Sequence, residues 1–232
     1  MALSAPSDDR EDWFDADFVD DWLRRQEARG DERHHQFSML RSLFLKEPNE
    51  RFSYLDIGAG DGALDESILG RYHGAQATLL DGSPVMVERA QQRLKPFGGQ
   101  VRVVQGDLST AAWTEAAGGP FDVVVSTIAL HNLEDPRRLR ALYGEVCGLV
   151  APGGMFMNLD YMRAPSRSVW PIYQGASKDP EGSWKMGVRS MREYAGSVDE
   201  HLGWLSEAGF APVDCFWREF RLAIVAGLKS GS

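Results

Sequence analysis

The chain has 232 residues, 43% of them hydrophobic and 25% charged, which suits one globular domain with a modest appendage and not a multidomain machine. Its 34 acidic residues outnumber 25 basic ones, and the net charge of −9 argues against a surface built to grip nucleic-acid phosphates. Two cysteines, Cys147 and Cys215, exclude a disulfide framework or a cysteine-rich zinc site; with no membrane-length apolar run and no signal-peptide pattern, a soluble cytoplasmic protein without a membrane partner is expected.

In chain order, residues 1–12 read as a disordered tail. Residues 13–46 then carry a four-residue apolar rhythm, first Phe14, Phe18 and Trp22, then Phe37, Leu40, Leu43 and Phe44. That spacing predicts two amphipathic helices, parted at Gly30-Asp31 and ended by Pro48-Asn49. His34 and His35 on the second helix read as solvated polar residues; no third ligand stands at metal spacing, so no metal is expected. A strand over 52–57 stops at Gly58-Ala59-Gly60-Asp61-Gly62 and yields to a helix over 63–71. A second strand, 77–80, leads through Asp81-Gly82 to Ser83-Pro84, a strong helix start for 85–94. A third strand, 101–105, ends in Gly106-Asp107, and a fourth, 121–126, is continuously apolar, as in a strand buried on both faces. A helix over 136–150, closed by Pro152-Gly153-Gly154, precedes a fifth strand at 155–159. Residues 161–196 lack a clear period but are rich in aromatics and methionines, among them Trp170, Tyr173, Trp184, Met186 and Tyr194. Ser197 and Glu200 form a capping box for a helix stopped at Gly209, and strands over 211–217 and 220–227 complete an antiparallel hairpin.

Repeated strand–helix units imply a parallel, doubly wound sheet, in which ligands sit beyond the carboxyl ends of the strands. The residues at those ends are Asp56 with Gly58, Gly60 and Gly62, then Asp81, Asp107, Ser126-Thr127, and Leu130-His131-Asn132-Leu133. Alternate glycines let the backbone approach a ligand, and a carboxylate after the second strand can accept both hydroxyl protons of a ribose.

Asp56-x-Gly58-x-Gly60-x-Gly62, Asp81, Gly106-Asp107, the run Phe121-Asp122-Val123-Val124-Val125-Ser126 and Pro152-Gly153-Gly154 together resemble the ordered motifs of class I S-adenosylmethionine-dependent methyltransferases of the small-molecule type. The resemblance covers residues 52–160 well and 197–229 in outline. It implies a Rossmann-like, doubly wound seven-stranded α/β sheet with one antiparallel strand over 51–232. Two segments fall outside it: residues 13–50 are expected to form a helical lid, and 161–196 either a substrate-specificity insertion or a cover for a sheet edge or dimer contact. The resemblance further implies S-adenosylmethionine as cofactor and S-adenosylhomocysteine as product. Gly58, Ala59 and Gly60 would pass beneath the methionine and sugar, Asp81 would hold the ribose, and Gly82 and Met86 would flank the adenine. Asp107 would accept from the adenine amine beside the Leu108 backbone, and Ser126 and Thr127 would border the methionine. Asp56 would either touch the ligand or hold the loop in shape. His131 is the candidate general base, with Asn132 where a second histidine stands in a common His-His-Leu variant, and Asp160 and Tyr161 would face the acceptor. The acceptor is expected to be a small molecule methylated at oxygen, nitrogen or carbon, and the protein a monomer or homodimer.

Nicotinamide-dinucleotide binding competes for a glycine loop, but it wants G-x-G-x-x-G, and Asp61 would repel a pyrophosphate. Arsenite-type methylation needs cysteines that the chain lacks. Two further readings stand beside methyl transfer: a cofactor-modifying enzyme like the carboxy-S-adenosylmethionine synthases, whose ending Phe216-Trp217-Arg218-Glu219-Phe220 loosely resembles, and a non-catalytic S-adenosylmethionine-binding subunit.

Overall fold

A computed structural model describes residues 12–176 and 195–231. Two helices, α1 (Ala16–Glu27) and α2 (Gly30–Ser42), precede the strands β1 (Phe52–Ile57), β2 (Ala75–Asp81), β3 (Val101–Gln105), β4 (Phe121–Thr127), β5 (Val150–Tyr161), β6 (Val213–Glu219) and β7 (Leu222–Leu228). Between them run α3 (Ala63–Leu69), α4 (Pro84–Arg93), α5 (Trp113–Ala117), α6 (Pro136–Leu149), α7 (Trp170–Ala176) and α8 (Val198–Ala208). The strands form one sheet in the order β3-β2-β1-β4-β5-β7-β6. β7 alone is reversed, antiparallel to β5 and to β6, as expected for the Rossmann-like sheet. Strand order turns back between β1 and β4, which makes that gap the ligand crevice of such a sheet.

Pleat explains the two cores. Neighbouring side chains along a strand point to opposite faces, so Val123 and Val125 join one cluster while Val124 joins the other. The first face is covered by α2, α3 and α4 through Phe37, Leu40, Ile68 and Ala90, the second by α5, α6 and α8 through Trp113, Leu142, Val146 and Leu205. The helix starts that sequence signals predicted are built as such. Ser83 accepts from the Met86 amide at 3.2 Å with Pro84 behind it, and Ser197 with Glu200 closes a full capping box.

The structure departs from the expectations at several places. The break between the first two helices falls at Ala28–Arg29, and Gly30-Asp31 lies inside the first turn of α2. Pro152-Gly153-Gly154 does not close α6; it lies within β5, where the register against β4 shifts between Phe121 and Val123 and Gly153 adopts φ +78°. The short helices α5 and α7 were not foreseen. Five and seven residues are too few to establish a helical period. Of the proposed insertion, residues 177–194, including Trp184, Met186 and Tyr194, lie outside the described residues, as do residues 1–11 of the proposed tail.

Candidate functional site

The site begins with three bends that glycine permits. After β1, Gly58 (φ +70°) and Gly60 (φ +57°) turn the chain so that the Gly58 and Ala59 amides donate to the Leu80 carbonyl at 2.7 and 3.1 Å, and Gly62 (φ +75°) opens α3. Asp81, at the end of β2, ties this loop to the next one. One carboxylate oxygen accepts from the Gly60 amide at 2.8 Å and the other from the Ser83 amide at 2.8 Å. Burial pushes this carboxyl up, against the pull of those amides.

Beneath the loop lie two acids. Asp56 (1% exposed) and Asp65 (0%) are neighbours, and the Tyr54 hydroxyl donates to Asp65 at 3.0 Å. Asp56 Oδ1 and Asp65 Oδ2 are among the buried oxygens without a hydrogen-bond partner, and burial together with the neighbouring charge favours a proton on the pair. Burial pushes Asp65 up to about 7 and raises Asp56 as well. Asp56 thus neighbours Asp65 and also lines the cavity.

A cavity of about 720 Å³ opens over these loops. Its floor is Asp56 and Gly58-Ala59-Gly60, its far wall Asp81, Gly82 and Met86, its third side Asp107 and Leu108, and its fourth Thr127, Ile128 and Ala129. Of the sequence-predicted cofactor residues, Ser126 alone does not line it. That side chain is fully buried, and its hydroxyl donates to the Ile57 carbonyl at 2.8 Å, fastening β4 to β1. Asp107 accepts from the amide and hydroxyl of Ser109 at 2.8 and 2.6 Å, which holds its carboxyl below the usual range.

The roof is aromatic and came from no motif. Trp13, Phe14 and Trp22, with Gln26, Arg33 and Phe37, close the cavity from the α1–α2 side. The Ser83 hydroxyl donates to the Trp13 carbonyl at 2.5 Å, and Arg89 meets Asp20 at 2.6 Å, so the roof is fastened to the edge where α4 begins. The amphipathic rhythm located these helices, but nothing local marks which of their residues face a cavity.

One expectation is corrected here. Asp61 does not stand as a bare repulsive charge: it is 4% exposed, with Arg93 at 2.5 Å and Arg33 at 3.9 Å. What speaks against a pyrophosphate is the glycine spacing, since the acid itself is neutralised.

His131 lies on a single helical turn, Leu130–Asn132, after β4. Its Nδ1 stands 2.7 Å from Asp160 Oδ1, and its backbone amide donates to Asp160 Oδ2 at 2.9 Å. Asp160, 2% exposed, also accepts from the Tyr161 amide at 2.7 Å, and the Tyr161 ring meets the imidazole edge-on at 5.7 Å. A carboxylate against Nδ1 fixes the proton there and leaves the Nε2 lone pair available. Asp160 is thus spent on His131, and neither it, His131 nor Tyr161 lines the cavity. His34 and His35 are both exposed, and His35 packs against Trp217 at 6.3 Å, away from the cavity. Among the described residues, no group of three potential metal ligands comes together.

A family model described as a methyltransferase domain matches residues 55–154, the span that supplies this floor and three of its walls. Those residues thus resemble a methyltransferase domain. The domain is 32% identical over 136 residues to an uncharacterised methyltransferase of Mycobacterium tuberculosis, a match over 56% of this chain and 64% of that one. The chain thus spans slightly less than two thirds of that relative. Similarity to a carboxy-S-adenosyl-L-methionine synthase of Citrobacter koseri is lower, 26%, yet it runs over 99% of this chain and 96% of the other. An O-methyltransferase family protein from Burkholderia thailandensis shares the fold at a TM-score of 0.69 and 22% identity, over 97% of this chain and 66% of that one. A structure described as PigF with SAH gives a TM-score of 0.67 at 20% identity, over 97% and 64%.

Proposed function

We propose that the protein is an S-adenosylmethionine-dependent methyltransferase acting on a small molecule. One observation carries this reading: residues from the ends of β1, β2, β3 and β4, in the order of the family's motifs, surround a single cavity large enough for a nucleoside ligand. The fit is supported residue by residue. A Cβ placed on Gly60 meets nothing within 4 Å, so this stretch of loop presents bare backbone where a ligand would lie. Asp81 and Asp107 supply acceptors for a ribose and an amine.

When bound, the cofactor supplies an electrophilic methyl group on a sulfonium. The chain's own residues have three tasks: to orient cofactor and acceptor, to keep water out, and to take a proton where the acceptor arrives protonated. The aromatic roof serves the second task. His131 lies outside the cofactor cavity, and we assign it the third at an acceptor held beside that cavity, with Asp160 holding the ring so that Nε2 accepts and stabilising the imidazolium that results. Such a base suits a hydroxyl acceptor best, and an O-methyltransferase is the reading we favour. The carboxy-S-adenosylmethionine synthase reading remains a second one because that similarity runs end to end.

Asp81→Ala should weaken S-adenosylhomocysteine binding about tenfold to a hundredfold in calorimetry, the loss expected for a charged acceptor. Unchanged affinity would remove the cofactor assignment. His131→Ala should lower turnover while leaving cofactor affinity intact. Mass spectrometry of the reaction mixture separates a methylated acceptor from a carboxylated cofactor.

A further inference from the structure

Arg33 is the one cationic side chain among the described residues that line the cavity. α2 places it one turn before Phe37, and its guanidinium lies 5.2 Å from the Phe37 ring centroid and 6.0 Å from that of Trp22. The side chain is 21% exposed, so the rings both hold the group and strip its water. Its nearest acid is Asp61, at 3.9 Å, beyond hydrogen-bond reach. Asp61 meanwhile spends its other oxygen, Oδ2, on Arg93 at 2.5 Å, and Arg93 also pairs with Glu66 at 2.9 Å. Arg33 therefore takes part in the neutralisation of Asp61 at a distance and keeps its planar fork of donors for something else. Burial pulls its pKa down, which marks a cation short of a close counter-charge.

The other charges at the cavity are all acids, and each has a neighbour. Asp56 lies against Asp65, Asp61 pairs with Arg93, Asp81 bridges two loops, and Asp107 is held by Ser109. A ligand that satisfies this arrangement offers hydroxyls or an amine at one end and a single carboxylate at the other. Resting on the methyl-donor reading above, we infer that Arg33 receives the α-carboxylate of the cofactor's methionine tail. The guanidinium fork matches a carboxylate with two parallel hydrogen bonds, a geometry that lysine cannot reproduce. The helical roof is then part of the cofactor site, and not solely a cover for the acceptor.

The test compares S-adenosylhomocysteine with its decarboxylated analogue, which keeps the adenosine, the sulfur and the amine. The wild type should prefer the carboxylate-bearing ligand about tenfold to a hundredfold. Arg33→Ala and Arg33→Gln should bind the analogue as the wild type does and lose the preference, and Arg33→Lys should recover part of it. Equal binding of both ligands by the wild type, or a preference that survives in either neutral variant, overturns the inference. Because Arg33→Ala also removes packing against Trp22 and Phe37, Arg33→Gln keeps the comparison usable if the smaller variant fails to fold. S-adenosylhomocysteine binding to the wild type tests the cofactor reading by itself, so the failure of one is told apart from the failure of the other.

Discussion

Gly58 and Gly60 have nearly the same left-handed backbone and opposite surroundings. A Cβ on Gly58 would lie 2.3 Å from Ala129 Cβ, whereas one on Gly60 would meet nothing within 4 Å. Gly58→Ala should therefore lose stability through both strain and collision, about 2–4 kcal/mol in urea unfolding. Gly60→Ala should pay the strain alone, about 1–2 kcal/mol, yet bind S-adenosylhomocysteine far more weakly, because its methyl group points into the cavity. The buried carboxyl pair carries a pH prediction. Burial lifts Asp65 to about 7 in the fold against roughly 3.9 in the unfolded chain, so its contribution is complete below pH 4 and is lost as pH rises toward 7. Melting temperature should fall across that window, by up to about 1.4 kcal/mol of stability per pH unit from this group. Asp65→Asn, which keeps an acceptor for Tyr54 and a donor for Asp56, should flatten the slope and exceed the wild type at pH 8. At this scale the sequence told much about strand-end residues and little about the rest. Asp81 was legible because a strand end fixes its place, while Arg33, one of several arginines on α1 and α2, became distinct only once the fold set it between two rings and a cavity.

Among the elements, α4 shows how one side chain can serve two structures. The Ser83 hydroxyl accepts from the Met86 amide and donates to the Trp13 carbonyl, so it caps the helix and anchors the roof together. Ser83→Ala should cost about 1–2 kcal/mol in denaturant unfolding and should also loosen the roof, seen as a change in tryptophan fluorescence. Asp20→Ala removes the Arg89 pair, which is 42% and 49% exposed, and should change stability by well under 1 kcal/mol. Elements with caps were readable in advance, as Ser83-Pro84 and Ser197 with Glu200 show. Pro152-Gly153-Gly154 misled, because a Pro-Gly-Gly run that commonly ends a helix here sits in a strand that tolerates a bulge opposite Asp122. The His131–Asp160 pair was out of reach of any local pattern: the residues are joined by the side-by-side placement of β4 and β5, not by spacing.

The whole molecule divides its work across the β1–β4 gap. On one side β1, β2 and β3 carry the glycine loop, Asp81 and Asp107; on the other, β4 and β5 carry the wall and the His131–Asp160 pair. The alternation of strands and helices made the doubly wound sheet legible, and the final hairpin made its reversed strand legible too. The roof was foreseen as helices and not as part of the core, although Phe37 and Leu40 of α2 belong to the same cluster as β1 and β4. The insertion of β7 between β5 and β6 bears on how the chain is made. Asp160 lies opposite Ala223, so the strand that orients His131 keeps one bare flank until Leu222–Leu228 has been translated. A ribosome that stalls before Leu222 releases a product whose apolar sheet edge is open to pairing with other chains, and such truncations belong to proteases and chaperones rather than to a pool of half-active enzyme.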